Sequence, residues 1–242
     1  MVTRLVIVVA ALMALAIAPA YAEPPRLTVV ELYTSQGCNP CPPADAYLRD
    51  LAARDDVLPL SFHIDYWDYI GWKDPFADAE NTARQRAYAG RLGLSYVYTP
   101  QMVIDGMWQG SGAARGERDK QIAMAHDTER ETVAVTLESV APNRLRLSLP
   151  AGDFDGRADI NLVRFDAEQT TKILRGENRG RELTYANVVR EMRRVGTWRG
   201  EALELEIELT DLGGVGDDRC AIIVQRAGQG AVLGAAMLDL RG

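Results

Sequence analysis

The sequence predicts two consecutive units, an α/β unit over residues 23–130 and an antiparallel β-sandwich over 131–242. Three observations predict it. Up to about residue 130, short apolar runs alternate with stretches of helical period, and beyond it strict apolar–polar alternation takes over. Turn residues (Pro142-Asn143, Asp155-Gly156, Gly213-Gly214, Gly228-Gln229-Gly230) divide the second half at short intervals. The 242 residues are 47% apolar and 25% charged, a composition that packs cores and excludes a disordered or collagen-like chain.

Residues 1–22 are set aside from the fold. Arg4 gives a short basic start, Leu5–Ala18 is an unbroken apolar run, Pro19 breaks it, and Ala20-Tyr21-Ala22 places small residues two apart. This is the layout of a cleavable secretory signal, cut after Ala22, and the run is short for a bilayer span. A retained N-terminal anchor is the alternative. Export to a bacterial periplasm or beyond is therefore expected, where a cysteine pair meets oxidising conditions.

In the first unit, Leu27–Tyr33 reads as a buried strand and Pro43–Ala53 as a helix. Val57–Asp65 is a second strand, its Pro59 placing it nearer an edge or limiting it to the part after Leu60. A helix over Pro75–Arg91 follows, with Asp74 as its cap and Pro75 in its first turn. Gln101–Asp105 is a strand, Met107–Gln109 a short one, and Glu117–Arg130 an amphipathic helix. Strands alternating with helices make a sheet covered on both faces. In the second unit, Thr132–Leu137, Arg144–Leu149, Ala158–Val163, Tyr185–Val195, Leu203–Leu209, Cys220–Gln225 and Val232–Leu238 read as strands at sandwich spacing. The competing arrangement has these strands extending the first sheet in one large domain.

The chemistry concentrates at Cys38-Asn39-Pro40-Cys41, where the first strand gives way to the first helix. Backbone N–H groups at a helix start favour a thiolate, and a second cysteine one turn on can resolve a mixed disulfide. A zinc half-site needs further ligands at compact spacing, which Cys220 and two scattered histidines do not supply. A redox dithiol and an inert structural disulfide stay open, the strand-to-helix placement favouring the first. Pro100, directly before the apolar strand, stands where a cis proline is common, and strand-like backbone beside it would pair with a substrate chain. With 34 acidic against 27 basic residues the net charge is −7, which argues against nucleic acid as a partner.

The stretch Val29–Cys41 resembles the active-site segment of the thioredoxin superfamily, and Thr99-Pro100 resembles that superfamily's cis-proline loop. More narrowly, Glu31–Asp45 (ELYTSQGCNPCPPAD), His63–Phe76 and Gly180–Trp198 are similar to signatures of a family of secreted bacterial thioredoxin-like proteins catalogued only as a domain of unknown function. The resemblance implies a thioredoxin-like fold for residues 23–130. It implies Cys38 as attacking thiol, Cys41 as resolving thiol, Pro100 as the cis-proline, and Glu31 near the place of a buried acid that assists proton transfer at the second cysteine. The chain departs from that pattern in carrying Glu for Asp, a loop one residue longer, and Gly37 where thioredoxin has tryptophan. A solvent-facing Glu31 is the competing reading. Asn39-Pro40 keeps the proline before the second cysteine, as in reducing thioredoxins.

Tyr66, Trp67, Tyr69 and Trp72 form an aromatic patch after the second strand, either a docking surface or a packed loop. Thr99, Asn39, Pro40 and Trp67 are the candidate substrate contacts. His63 and Asp65 share one strand face with Asp68 nearby, and a histidine bonded to a neighbouring carboxylate is the simple account. His126 belongs on a polar helix face, Cys220 reads as a buried small hydrophobe, and the charged run Gly176–Arg194 as solvated surface. The expected function is an exported thiol–disulfide oxidoreductase whose partners are client protein thiols or disulfides and a redox partner. It needs no organic cofactor and no metal. Two alternatives compete: copper(I) handling with His63 or Met102 completing a thiolate site, and a noncatalytic binding module with a structural disulfide.

Overall fold

A computed structural model describes residues 26–210, 216 and 218–241. The leader expected over residues 1–22 lies outside the described residues, as does the Gly213-Gly214 turn. Among the described residues, no helix is long and apolar enough to cross a membrane.

The first half runs β1 (Thr28–Thr34), α1 (Pro42–Leu51), β2 (Val57–His63), α2 (Ala79–Arg91), β3 (Gln101–Ile104), β4 (Trp108–Ser111) and α3 (Arg115–Asp127). The second half runs β5 (Thr136–Ala141), β6 (Arg144–Leu149), β7 (Ala158–Lys172), β8 (Glu182–Trp198), β9 (Leu203–Glu208), β10 (Arg219–Arg226) and β11 (Val232–Asp239). Every residue of β1 and β2 is buried, as their continuous apolar runs require of central strands. Asp78, not Asp74, caps α2: its side chain accepts from the Glu80 N–H at 2.7 Å, and the helix starts at Ala79 rather than Pro75.

The architecture corrects the expected thioredoxin-like α/β domain followed by a separate β-sandwich. The molecule is mostly β. One eight-stranded mixed sheet, ordered β11-β10-β7-β8-β2-β1-β3-β4, draws strands from both sides of residue 130, and a three-stranded sheet, β5-β6-β9, stands apart; the described residues hold only three α-helices. The seam is β8 beside β2, parallel, with Val188 opposite Ser61. Periodicity reads the face a strand presents, not the neighbour it chooses, so the continuation of one sheet through both halves had no local signal. Nor did the length of β7 and β8, 15 and 17 residues, whose pairing absorbs two register shifts.

Three apolar layers result. On one face of the large sheet, Tyr33, Leu58, Leu60, Phe62 and Tyr88 from the first half share a core with Val163, Phe165, Ala221 and Ile223 from the second. On the other, α1 and α3 cover Val30, Leu32, Met102 and Ile104. Further along, Leu145, Leu147 and Leu149 of the small sheet close over Ile160, Leu162, Ile222 and Val224. The large sheet curls enough that the Val232 N–H, at the start of β11, donates to the Asp105 carbonyl just past β3 at 2.9 Å.

Candidate functional site

Cys38 and Cys41 form a disulfide at the junction of β1 and α1, with Cα atoms 5.4 Å apart. The chain leaves β1 at Thr34 and turns sharply, the Cys38 N–H donating to the Ser35 carbonyl at 3.1 Å and the Gly37 N–H to the Ser35 hydroxyl at 3.0 Å. Cys41 is the N-cap of α1, its carbonyl accepting from the Ala44 and Asp45 N–H groups, and Pro42 and Pro43 fill the first turn where a missing donor costs little. Both cysteines are 0% exposed, while Asn39 and Pro40 between them face solvent.

The Thr99–Pro100 peptide is cis. Pro100 is buried against the first turn of α1: a Cβ added to Gly112 would lie 2.9 Å from the Ala44 Cβ and 3.4 Å from the Pro100 Cβ, so glycine is what lets the three segments meet. Trp67 ties this loop to the cysteine turn. Its indole N–H donates to the Thr99 hydroxyl at 2.7 Å, and its Cβ would stand 3.1 Å from a Cβ on Gly37, which explains a glycine directly before Cys38. Tyr69, 80% exposed, stacks on Trp67 with centroids 6.3 Å apart. The structure thus brings Cys38, Cys41, Asn39, Pro40, Trp67, Thr99 and Pro100 into one neighbourhood.

Glu31 lies elsewhere. It is buried, and it alternates with Leu32 onto the α2 face of the sheet, opposite the face that α1 covers. There Arg84 donates to both its oxygens, at 2.7 and 2.8 Å, and the Tyr33 and Tyr88 hydroxyls donate at 2.8 and 2.6 Å. Those partners enclose it in a hydrogen-bonded network centred on the Arg84 salt bridge.

A different carboxylate lies on α1, bonded back to the end of β1. Asp45, one helical turn after Cys41, is buried, accepts from the Thr34 hydroxyl at 2.7 Å through Oδ1, and leaves Oδ2 without a protein partner. Burial pushes its carboxyl up to about 7, against a lowering influence of His63. His63 Nδ1 shares a 2.7 Å hydrogen bond with Asp74, not with Asp65, whose carboxylate takes the Thr82 hydroxyl instead. Burial works to raise Asp74, but His63 and the Gln36 and Phe76 N–H groups outweigh it and hold the carboxyl below its usual range. The Tyr185 ring from β8 packs on His63 at 4.7 Å, and burial, reinforced by the charges of Asp45 and Asp74, raises its hydroxyl. His63 Nε2, Asp45 Oδ2, Ser61 Oγ and the Tyr185 hydroxyl are all buried without a protein partner.

From the second half, the loop between β7 and β8 reaches the cysteine turn. The Asn178 Nδ2 donates to the Gln36 carbonyl at 2.9 Å and to the Cys38 carbonyl at 3.0 Å, and Glu177 accepts from the Asn39 N–H at 3.3 Å. The Trp72 indole donates to Gln36 Oε1 at 2.8 Å. Asn178, Gln36 and Asp45 were not singled out from sequence. Asp45 had a signal in its i+4 spacing from Cys41 on a helix, whereas Asn178 lies 140 residues from Cys38 in a charged run and had none.

Of the remaining candidates, Met102 is fully buried beside Leu32 and Ala44, and His126 is half exposed. Cys220 is buried in the core against the small sheet, its thiol pushed up to about 12 by burial. Among the described residues, no group of three or more His, Cys, Asp and Glu side chains is placed to hold a metal ion.

The fold and site define a mostly-β protein built on one mixed sheet, with a buried C-x-x-C disulfide at a strand-to-helix junction. The chain belongs to the family described as protein of unknown function DUF1223, whose model matches residues 29–225. It is similar to the crystal structure of protein AGR_C_4864 from Agrobacterium tumefaciens, with 32% identity over 90% of this chain and 96% of that one, at a TM-score of 0.78. HBP35 of Porphyromonas gingivalis, 12% identical over 90% of this chain and 76% of that one at a TM-score of 0.61, shares the fold. The comparison with curated proteins gave no match.

Proposed function

We propose that the protein is an exported thiol–disulfide oxidoreductase acting on protein disulfides through Cys38 and Cys41. The observation that carries this reading is the placement of the bridge. It closes only four residues, from the turn after β1 to the cap of α1. Chain-entropy arguments give so short a loop roughly 2 kcal/mol of stabilisation, against about 4.7 kcal/mol for a 100-residue loop. A structural staple at this spacing accomplishes little, whereas a dithiol at a helix N-terminus sits at the positive end of the helix dipole, which favours a thiolate.

The resemblance of Val29–Cys41 and of Thr99-Pro100 to the thioredoxin superfamily site points the same way. On this reading Cys38 attacks a substrate sulfur, a mixed disulfide forms, and Cys41 displaces the substrate. The two electrons travel with the dithiol, and Thr99, Pro100, Asn39, Pro40 and Trp67 meet the client chain. Export follows from the leader read over residues 1–22.

The test is the reduction potential of the pair in glutathione buffers, measured on protein carrying Cys220→Ala. A value reached quickly, between about −120 and −270 mV, supports exchange. A value below about −300 mV with sluggish exchange returns the pair to the structural-disulfide reading.

A further inference from the structure

An exchange catalyst must let a thiolate reach a sulfur, yet both cysteines here are fully buried while the tip between them, Asn39-Pro40, is exposed. A loop from the far half of the chain is bonded to the cysteine turn. In residues 173–181, between β7 and β8, only Ile173 and Asn178 are buried; Leu174, Arg175, Glu177, Arg179 and Gly180 face solvent. The loop has its own shape, with the Gly180 N–H donating to the Ile173 carbonyl at 2.8 Å and the Ile173 N–H to the Arg181 carbonyl at 2.9 Å. What joins it to the cysteine turn is a short set of polar contacts: the two Asn178 Nδ2 hydrogens on the carbonyls of Gln36 and Cys38, and Glu177 on the Asn39 N–H. An asparagine serves here because its amide supplies two donors from one nitrogen, and two neighbouring carbonyls are what the turn presents. A solvated loop held by polar bonds opens locally far more cheaply than a core element does.

We propose that the 173–181 loop is a latch on the disulfide: with Asn178 seated on the Gln36 and Cys38 carbonyls the sulfurs are closed to an attacking thiolate, and exchange runs through a conformer in which Asn178 has withdrawn. The latch makes the second half of the chain part of the site and gives a client protein a handle, since any partner that binds the exposed Arg175, Glu177 or Arg179 away from the cysteine turn favours the open form. Its biological use rests on the exchange reading above; its chemistry does not, because any disulfide has a measurable rate of reduction.

The experiment measures that rate with excess dithiothreitol on native protein. One reductant thiolate attacks Cys38 Sγ, Cys41 leaves as a thiolate and takes a proton, and the second reductant thiol closes the oxidised ring and frees Cys38. Two electrons and two protons thereby pass to the pair. Asn178→Ala removes both bonds and is expected to speed reduction on the order of ten- to a hundredfold. Glu177→Ala, which leaves nothing buried unpaired, shifts it severalfold in the same direction. Tyr88→Phe loses a buried hydrogen bond to Glu31 far from the loop and serves as the control for general loosening. It is expected to reduce at the wild-type rate. Wild-type rates in both loop variants overturn the latch, as does an equal acceleration in Tyr88→Phe, which assigns access to global unfolding. If Asn178→Ala fails to fold, Glu177→Ala against Tyr88→Phe decides. The equilibrium potential in glutathione buffers is a separate reading, so a structural disulfide and an absent latch are told apart.

Discussion

Asp45 carries a carboxyl that the folded protein prefers protonated. Burial pushes it up to about 7, while Thr34, His63 and Arg49 pull it down and Asp74 pushes it further up. In the unfolded chain the same group titrates near 3.8. The native state therefore holds the extra proton between these values, so the stability linked to Asp45 is complete below about 3.8 and is lost as pH rises through about 7. Asp74, held low, acts below that window. Asp105, also raised to about 7 chiefly by burial, adds a slope of the same sign. The expected outcome is a wild-type unfolding free energy that falls between pH 4 and 7, and an Asp45→Asn variant whose fall is shallower by up to about 1.4 kcal/mol per pH unit. Urea unfolding at several pH values checks it; parallel curves for the two proteins would refute it. At the same scale, the buried Glu31–Arg84 pair is expected to lose roughly 3–5 kcal/mol when Arg84→Met leaves the carboxylate unpaired, measured by the same unfolding. Cys220, fully buried with its thiol raised, is expected to resist alkylation in native protein and to react on denaturation.

The elements show which parts of the site were legible. The cysteine turn was, because a strand run, a C-x-x-C and two prolines are consecutive in the chain and their geometry is local. Pro100 was legible for the same reason. Glu31 was not: alternation along β1 puts residues 31 and 33 on one face, but only the packing of α2 decides that this face holds Arg84. Pro59 is the sharper case. Read as a mark of an edge or of a strand confined to the part after Leu60, it sits instead inside a strand that starts at Val57 and is flanked by β1 and β8. The resolution is a side chain. Proline has no N–H to give, and Asn187 of β8, in the left-handed region at φ 48°, turns its Nδ2 onto the Pro59 carbonyl at 2.8 Å. That bond replaces ladder pairing at the seam between the halves. Asn187→Gly keeps the backbone geometry and loses the donor, and it is expected to cost about 1–3 kcal/mol in denaturant unfolding, the penalty of a buried acceptor left unpaired. A change within a few tenths of a kcal/mol would show that the seam does not depend on it.

At the scale of the whole molecule, the rhythm change near residue 130 is real but does not mark where one sheet ends. Helices do stop there, and β5-β6-β9 pair as a sheet of their own, with Arg144–Glu208 and Arg146–Glu204 pairs on its surface, packed over the large sheet. Yet β7, β8, β10 and β11 return to the sheet of the first half. A segment ending at residue 130 would leave the β8-facing side of β2 open along a fully buried strand. It would also uncover Leu58, Leu60 and Phe62, whose partners Val163, Phe165 and Ile223 lie beyond the cut. Exposed apolar surface beside an unpaired strand edge is what drives chains to associate. Residues 26–130 expressed alone are therefore expected to lack a cooperative thermal transition and to sediment as aggregates, with the cysteine turn uncovered because Asn178 is absent. A monomeric segment with a sharp melting transition would show instead that the first half carries its own core, and that the second half is an attachment to it rather than the other side of one sheet.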